Sequence, residues 1–475
     1  MSKKAVYSMV LFFVLMGVLG VVFNVQKVEA PHLIIFIRAD GSIDPSGVNI
    51  TSSDNVTYTF TDDINASIVV QRSNITIDGI GHTLDGLSGA ILEGLNLTGV
   101  SNVTIKNVNV VGFGYGIYLQ SSTLNIISGN NITFNEGNIY LGNSSDNMIT
   151  GNTITDGAEA VQLYASSNNT ISDNSMMHNN RGVWLRSGST ENMIHGNNIT
   201  DNSEGISVDN SSNNTIVENN ITGNNDVGIW LLSNSRYNTV TRNNIDNNYD
   251  GIKVQMSNYN TVVGNNITRN SDYGVFLFAY IYDNTFYHNN FLGNTYHAGT
   301  YIPSVHIWDN GYPSGGNYWS NYTGVDLDPD GIGDTEHVIN ENNTDNYPLM
   351  GMFSDFKATS EHHVQTISNS SISDFQFNGT AISFNVTGID DTTGFCRICI
   401  PTALMSATYK TFVNGTEVSH TLLPFSNSTH NYLYFTYEHS TQEVVIIPEF
   451  PSFLILPLFM IVTLLAVIVY RRKQS

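Results

Sequence analysis

The stretch NNITGNNDVGIWLLSNSRYNTVTRNN, Asn219 to Asn244, decides the fold. Side-chain amides crowd it, yet Ile221, Ile229, Leu231 and Val240 punctuate it at regular spacing. A low-complexity polar tract has no reason to keep such spacing. Outward from this stretch the pattern repeats. Four-residue G-I-x-L blocks recur as GIYL at 116, NIYL at 138, AVQL at 160 and GVWL at 182, then as GISV at 205, GIWL at 228, GIKV at 251 and GVFL at 274. A second series, Asn followed two residues later by an apolar residue, runs from Asn125-Ile127 through Asn214-Ile216 and Asn238-Val240 to Asn284-Phe286. A third follows five residues on, from Asn130-Ile132 through Asn219-Ile221 and Asn243-Ile245 to Asn289-Phe291. Weaker versions at Asn74 and Asn102 extend the pattern toward the N-terminus.

Each repeat therefore holds three short segments of period two separated by Asn, Gly or Ser. The density of Gly and Asn and the lack of a 3.6-residue stripe exclude helix. Three strands in about 22 residues suit one coil of a parallel β-helix, with equivalent residues stacked about 4.8 Å apart. Some ten such coils make a rod about 50 Å long. Ile and Leu are expected inside. Asn is expected at the corners, where its amide bonds along the axis and tolerates the left-handed turn. A leucine-rich repeat shares the period but needs a Leu-dominated pattern and a helical or turn segment on its convex side.

The quoted repeats closely resemble the NosD-like family of right-handed parallel β-helix proteins (PbH1 repeats) of archaeal and bacterial cell surfaces. IIFIRADGSIDP at 34–45 and SIVVQRSNITIDGIGHTLDG at 67–86 resemble that family's opening segment. GNYWSNYTGVDLDPDGIGDTEHVINENNTDNYPL at 316–349 resembles its exit segment. The resemblance implies the fold for residues 31–350. It implies function less, because the family spans copper-site maturation factors, carbohydrate-active proteins and surface-layer proteins.

The 475 residues carry 41 acids against 18 bases, a net charge of -23, and only 12% are charged. A nucleic-acid partner needs clustered Lys and Arg and is excluded on that ground. The hydrophobic share of 41% supports a core and argues against wholesale disorder. The first thirty residues, with Lys3 and Lys4 before an apolar run, read as a secretory signal or an uncleaved anchor. Near the other end, PSFLILPLFMIVTLLAVIVYRRKQS has the length and basic stop of a membrane span. With the preceding IPEF it resembles archaeal sorting signals of the PEF or PGF type. About twenty N-x-S/T sequons, among them Asn49, Asn131, Asn198, Asn266 and Asn414, agree with export, although an Asn- and Thr-rich chain makes sequons by chance.

The expected architecture is all-β, a right-handed parallel β-helix followed by a small Ig-like β-sandwich, with an apolar segment at each end. Its divisions are the signal or anchor at 1–30, the opening cap at 31–100, the regular coils at 101–300, the exit segment at 301–354, the sandwich at 355–447 and the membrane or sorting segment at 448–475. The sandwich rests on alternating strands such as AISFNVTG and NYLYFTYEHSTQEVVII, with Asn414-Gly415 as a hairpin turn.

Stacking turns sequence columns into surface stripes. The third position of each G-I-x-L block is expected to face outward. That column reads Tyr118, Tyr140, Gln162, Trp184, Ser207, Trp230, Lys253 and Phe276. Just before the block runs a charged column of Glu159, Arg181, Glu204, Asp226, Asp250 and Asp272, shifted by one residue in places. Aromatic rings beside Glu204, Asp226 and Asp250 are what an extended glycan requires, although such columns also stabilise a sheet by stacking between rungs. A lyase or hydrolase would cluster carboxylates with an Arg or Lys base, and no such pairing recurs here.

The best metal signal is DLDPDGIGDTEH. Asp326, Asp328, Asp330, the carbonyl of Ile332 and Asp334 occupy positions 1, 3, 5, 7 and 9 of a calcium loop, with Gly331 at the sharp turn. Position 12 is His337 rather than Glu, so Ca2+ affinity should be modest. Copper is disfavoured, because Met176 sits at an inward position and His178 and His195 belong to different columns. Cys396 and Cys399 read as apolar fillers. The leading expectation is a membrane-anchored, extracellular, non-catalytic protein that binds glycans or cell-envelope partners. A polysaccharide lyase or hydrolase is the alternative, and a copper-handling protein the third.

Overall fold

The computed structural model describes residues 33–301, 304–405 and 408–449, with the backbone alone for 88–92. The segments predicted at 1–30 and from residue 450 onward lie outside the described residues. Within them there is no helix, and so none long and apolar enough to cross a membrane.

The chain winds as a parallel β-solenoid of about 10 turns. A regular coil is made of three strands, for example Thr215–Val217, Asn220–Thr222 and Val227–Leu232. Each strand pairs in parallel with its equivalent one coil away, so Ile216 meets Val240, Ile221 meets Ile245 and Ile229 meets Ile252. Two faces of the rod carry three-residue strands and are narrow. The third carries six-residue strands and is the wide face. The inward columns are Ile, Leu and Val at almost every rung, with Ile194, Ile221, Ile229, Leu231 and Val240 fully buried.

The corners explain the asparagines. Asn219 donates its backbone N–H to Asn243 Oδ1 at 2.9 Å and its Nδ2 to the same oxygen at 3.0 Å. The same Nδ2 also reaches the Ile194 and Val217 carbonyls at 2.9 and 3.1 Å. Asn219 Oδ1 in turn accepts both groups of Asn197. Donors and acceptors are thus satisfied, which lets an amide be 1% exposed without the penalty of a buried orphan. Both predicted series form such ladders, Asn125 to Asn284 and Asn130 to Asn289.

A third ladder, which the sequence reading had not separated, runs from Asn179 through Asn202, Asn224, Asn248 and Asn270 to Asn294. Where Gly157 interrupts it, Asn138 bridges from Asn135 to Asn179. A fourth line is made of hydroxyls, with backbone amides of Ser122, Ser144, Ser166, Ser189, Ser211 and Ser235 each donating to the serine of the next coil. Before these ladders begin the corner is apolar. Phe113 occupies it, and the strand Asn109–Gln120 runs from a narrow face onto the wide one unbroken.

The exit segment closes the rod. Trp308 stacks on Phe286 at 4.5 Å and Trp319 on Phe291 at 4.3 Å, covering the last open rung. Asn317 continues the second ladder from Asn289, and Asp345 ends it by accepting the Asn317 N–H at 2.7 Å and the Trp319 indole at 2.8 Å. Burial pushes the Asp345 carboxyl up to about 7 against those donors.

Two five-stranded antiparallel sheets follow, packed around Val364, Phe384, Ile398, Leu433, Phe435 and Ile446. Asn414 and Gly415 form the expected hairpin turn, both at positive φ. The first sandwich strand, Met352–Lys357, lies against the rod. Asn290 and Phe353 exchange two hydrogen bonds at 2.8 Å, and Arg242 faces Asp355 at 3.8 Å.

The ladder account separates two neighbouring amides. Asn219→Ala should cost about 2–4 kcal/mol, because it orphans the buried backbone N–H of Asn197 and strips the Ile194 and Val217 carbonyls of their amide donor. Asn220→Ala, on the solvent side, should cost no more than about 0.5 kcal/mol. Urea unfolding of the two variants checks this, and equal costs would contradict it.

Candidate functional site

Chemically varied side chains gather on the wide face. Its strands include Glu159–Tyr164, Arg181–Arg186, Glu204–Asp209, Val227–Leu232, Asp250–Gln255 and Tyr273–Phe278. In each of these the second, third and fifth residues are buried and the sixth is the more open, while Glu204, Val227 and Asp250 at the first position and Gln162 and Ser207 at the fourth are also buried. The glycine beginning most G-I-x-L blocks is fixed by closeness. A Cβ on Gly205, Gly228 or Gly251 would meet the next coil's carbonyl oxygen at 2.4, 2.6 or 2.5 Å.

The predicted outward column stands in one register, with Tyr118 beside Tyr140, Gln162 beside Trp184, Ser207 beside Trp230 and Lys253 beside Phe276. Its rings are half-buried rather than open, because their faces are occupied from within. Tyr118 and Tyr140 stack on each other at 5.1 Å with an 8° interplanar angle. Trp184 lies between the guanidinium groups of Arg181 and Arg186, at 4.4 and 4.2 Å from its ring. Lys253 Nζ sits 5.0 Å over Trp230, and Phe276 stacks on Tyr273 at 4.7 Å. Ring edges and tyrosine hydroxyls are what remain for a ligand. The Trp230 indole N–H is buried without a protein acceptor.

The charged column is more tightly paired than the sequence suggested. Arg181 donates Nε to Glu204 at 2.8 Å and Nη1 to Glu159 at 3.4 Å, and the Ser207 hydroxyl donates to Glu204. Arg181, already in the charged column by sequence, thus bridges the two glutamates on either side of it. Glu159 is raised above the usual carboxylate range by burial, against the pull of Arg181. Register also places Val227, not Asp226, between Glu204 and Asp250. Asp226 stands one residue earlier, at the end of the turn, as Asp272 does before Tyr273. Asp250 is 3% exposed and accepts the Tyr273 N–H at 3.2 Å. Burial pushes its carboxyl up to about 6, opposed by that amide and by Lys253.

Arg186 was not singled out from sequence. Its signal was available, two residues beyond an outward tryptophan and so on the same side of the strand.

At the exit loop Asp326, Asp328 and Asp334 each bring one oxygen within 4.8 Å of the others. Asp326 also accepts the amides of Asp330 and Gly331 at 3.1 and 2.8 Å. Asp330 does not join them. It is buried, accepts the Ile332 amide at 2.8 Å and faces Tyr312. Ile332 packs with Leu349, Phe353 and Ile367. On this side the loop borders the sandwich, where a Cβ added to Gly331 would come within 3.3 Å of Arg397 and 3.6 Å of Phe395. Met176 is fully buried, His195 faces Glu218 at 3.5 Å, and His363 bonds Asp355 at 3.0 Å.

Residues 93–245 match a family described as right handed beta helix region. Residues 192–324 match one described as periplasmic copper-binding protein (NosD). No curated protein matches the chain significantly by sequence. Among solved structures, the A-module of the mannuronan C-5 epimerase AlgE6 from Azotobacter vinelandii is 18% identical, over 58% of this chain and 87% of its own, with a TM-score of 0.45. A double mutant of the periplasmic alginate epimerase AlgG is 16% identical over 53% and 68%, with a TM-score of 0.40. PfbA, a surface adhesin of Streptococcus pneumoniae, is 14% identical over 52% and 83%, with a TM-score of 0.35. These likenesses extend to the winding of the chain alone.

Asp250 gives the wide face a pH signature. Its carboxyl ionises less readily in the folded chain than in the unfolded one, where it has the ordinary value of 3.8. Stability is therefore full below that value and declines as pH rises through about 6. Asp250→Asn should raise stability at pH 8 by up to about 2–3 kcal/mol and leave it nearly unchanged at pH 4. Thermal melts at the two pH values check this, and a shift equal at both would contradict it.

Proposed function

We propose that this chain, a NosD-like right-handed parallel β-helix protein, binds an extended glycan along the wide face of its rod without cleaving it. One contrast carries the reading. Outward positions of the narrow strands are mostly short and uniform, as at Thr133, Thr155, Thr200, Thr222 and Thr268. The wide face instead sets Tyr118, Tyr140, Trp184, Trp230 and Phe276 in one line, beside Glu204, Asp250, Arg186 and Lys253. One rung is close to the length of one pyranose residue, so a polymer lying along the axis meets one member of this column at each sugar, an aromatic ring at five of the eight rungs. Since the ring faces are covered, contact is through ring edges, hydroxyls and the flanking charges.

The reading puts the rod outside the cytoplasm, held at the membrane by the predicted C-terminal span. The periplasmic description of the matched NosD family supports the compartment. Copper handling is set aside, since Met176 fills the core and His178 and His195 stand in separate columns. A catalytic reading has one observation in its favour, the carboxyl of Asp250 held near 6 beside Lys253, within reach of acid–base work at neutral pH.

One experiment addresses both. Binding of neutral and acidic polysaccharides is measured for the chain and for a Trp184→Ala/Trp230→Ala variant, and the recovered polymer is sized. The variant should bind at least about tenfold more weakly, a loss of ~1.4 kcal/mol, and the polymer should be recovered intact. Equal binding by both proteins would remove the wide face from the account. Polymer shortening that disappears in Asp250→Asn would establish the catalytic reading instead.

The exit loop we propose as a Ca2+ site of modest affinity, held by Asp326, Asp328 and Asp334 with Asp330 displaced from the set. Added calcium should raise the melting temperature, and Asp328→Asn, at an exposed carboxylate, should abolish the rise. An identical rise in the variant would refute it.

A further inference from the structure

Arg397 lies on the sandwich strand Thr393–Pro401 and turns away from the sandwich core toward the rod. Its side chain is 3% exposed, so a permanent positive charge is buried between the two parts of the molecule. The ring of Phe425 lies 5.0 Å from the guanidinium carbon and that of Tyr432 5.1 Å. One nitrogen, Nη2, donates to the Pro313 carbonyl of the exit segment. The other, Nη1, is buried and has no partner in the protein.

Among the described residues no carboxylate forms an ion pair with Arg397. Asp330 is the acid whose field it feels, but the two make no ion pair; Asp330 Oδ1 accepts the Ile332 amide and its Oδ2 is buried without a hydrogen-bond partner. A buried charge left in that state costs several kcal/mol.

Arg397 lines a small cavity with His288 and Ser314 of the rod and Gln365, Cys399 and Tyr432 of the sandwich. No wall of this cavity carries a negative charge. The Cys399 thiol is pushed up to about 11 by burial, and His288 is held down to about 4 by burial, with Arg397 lowering it further. His288 Nε2 lies 3.0 Å from the Ser314 carbonyl, so it donates there. The volume is about 30 Å3, room for one or two water-sized occupants and too little for a sugar or a phosphate ester.

We infer that this cavity binds a small inorganic anion of halide size, with Arg397 Nη1 as its charged donor. The ion supplies the acceptor that Nη1 lacks within the protein, and it touches both the rod and the sandwich. Its occupancy therefore fixes how the sandwich docks on the rod, in series with the Asn290–Phe353 hydrogen bonds.

Bromide is the probe. Crystals of the full chain grown or soaked in sodium bromide should show an anomalous peak within hydrogen-bond distance of Arg397 Nη1. In solution, sodium chloride should raise the melting temperature over sodium gluconate at equal ionic strength by about 2–4 °C. Arg397→Met should lose that difference. Should this variant not fold, the bromide crystals of the natural chain decide alone. A peak with no anomalous signal, together with equal melting in the two salts, would mean that only water sits there and would overturn the inference.

Discussion

A corner amide that spends both its donors and its acceptors inside the protein is what the structure depends on. Turning a chain three times in about 22 residues buries polar backbone at every turn, and without partners each such group costs about 1–3 kcal/mol. Asn answers this with a side chain shaped like the backbone. Its oxygen takes two N–H groups from the preceding coil while its nitrogen returns to carbonyls. The left-handed turn that sequence assigned to these asparagines falls instead on the residue before each, as at Glu218 ahead of Asn219 and Arg242 ahead of Asn243. Three ladders and a serine line thus replace the hydrogen bonds that helices or hairpins would otherwise provide, and Asp345 and the two tryptophans finish the series where no further coil exists.

With the corners and interior committed, function has only the outward positions in which to be written. Three-residue strands leave few of these, and Thr, Ser or Asn fills most of them. The six-residue strands of the wide face leave more, and they line up across coils into stripes. That geometry explains why aromatic, basic and acidic side chains concentrate there. It also explains why their energetics are shared: rings one rung apart stack, and Arg181 has a glutamate on either side. A side chain on this surface serves its neighbours before any ligand, which is why Trp184 offers an edge rather than a face.

Much of this was legible in the sequence. Spacing alone identified Asn219 and Asn243 as corner amides, Ile221 and Val240 as core, and Trp230 as outward. The third ladder was equally periodic, five residues beyond Asn197 or Asn219, but was masked because its asparagines precede turn residues rather than strands. The bridge from Asn138 across Gly157 was not legible, since it depends on the side chain reaching into a gap in another column. Asp330 was assigned by loop spacing and stands elsewhere, on the side of the loop whose Gly331 neighbours Arg397, nearly seventy residues later in sequence. Local pattern fixes positions within a coil. Contacts between rod and sandwich are non-local and leave no period to read.

The dependence on buried amides is open to direct measurement by native-state hydrogen exchange. Backbone N–H groups of Asn174, Asn197, Asn219 and Asn243 donate only to side-chain oxygens of the next coil. If the ladders hold the rod, these amides exchange as slowly as those of strand residues such as Ile221 and Ile245, opening only with the coil itself. Fast exchange at the corners, with slow exchange confined to the strands, would show that the strands and core hold the rod and that the ladders merely accompany them.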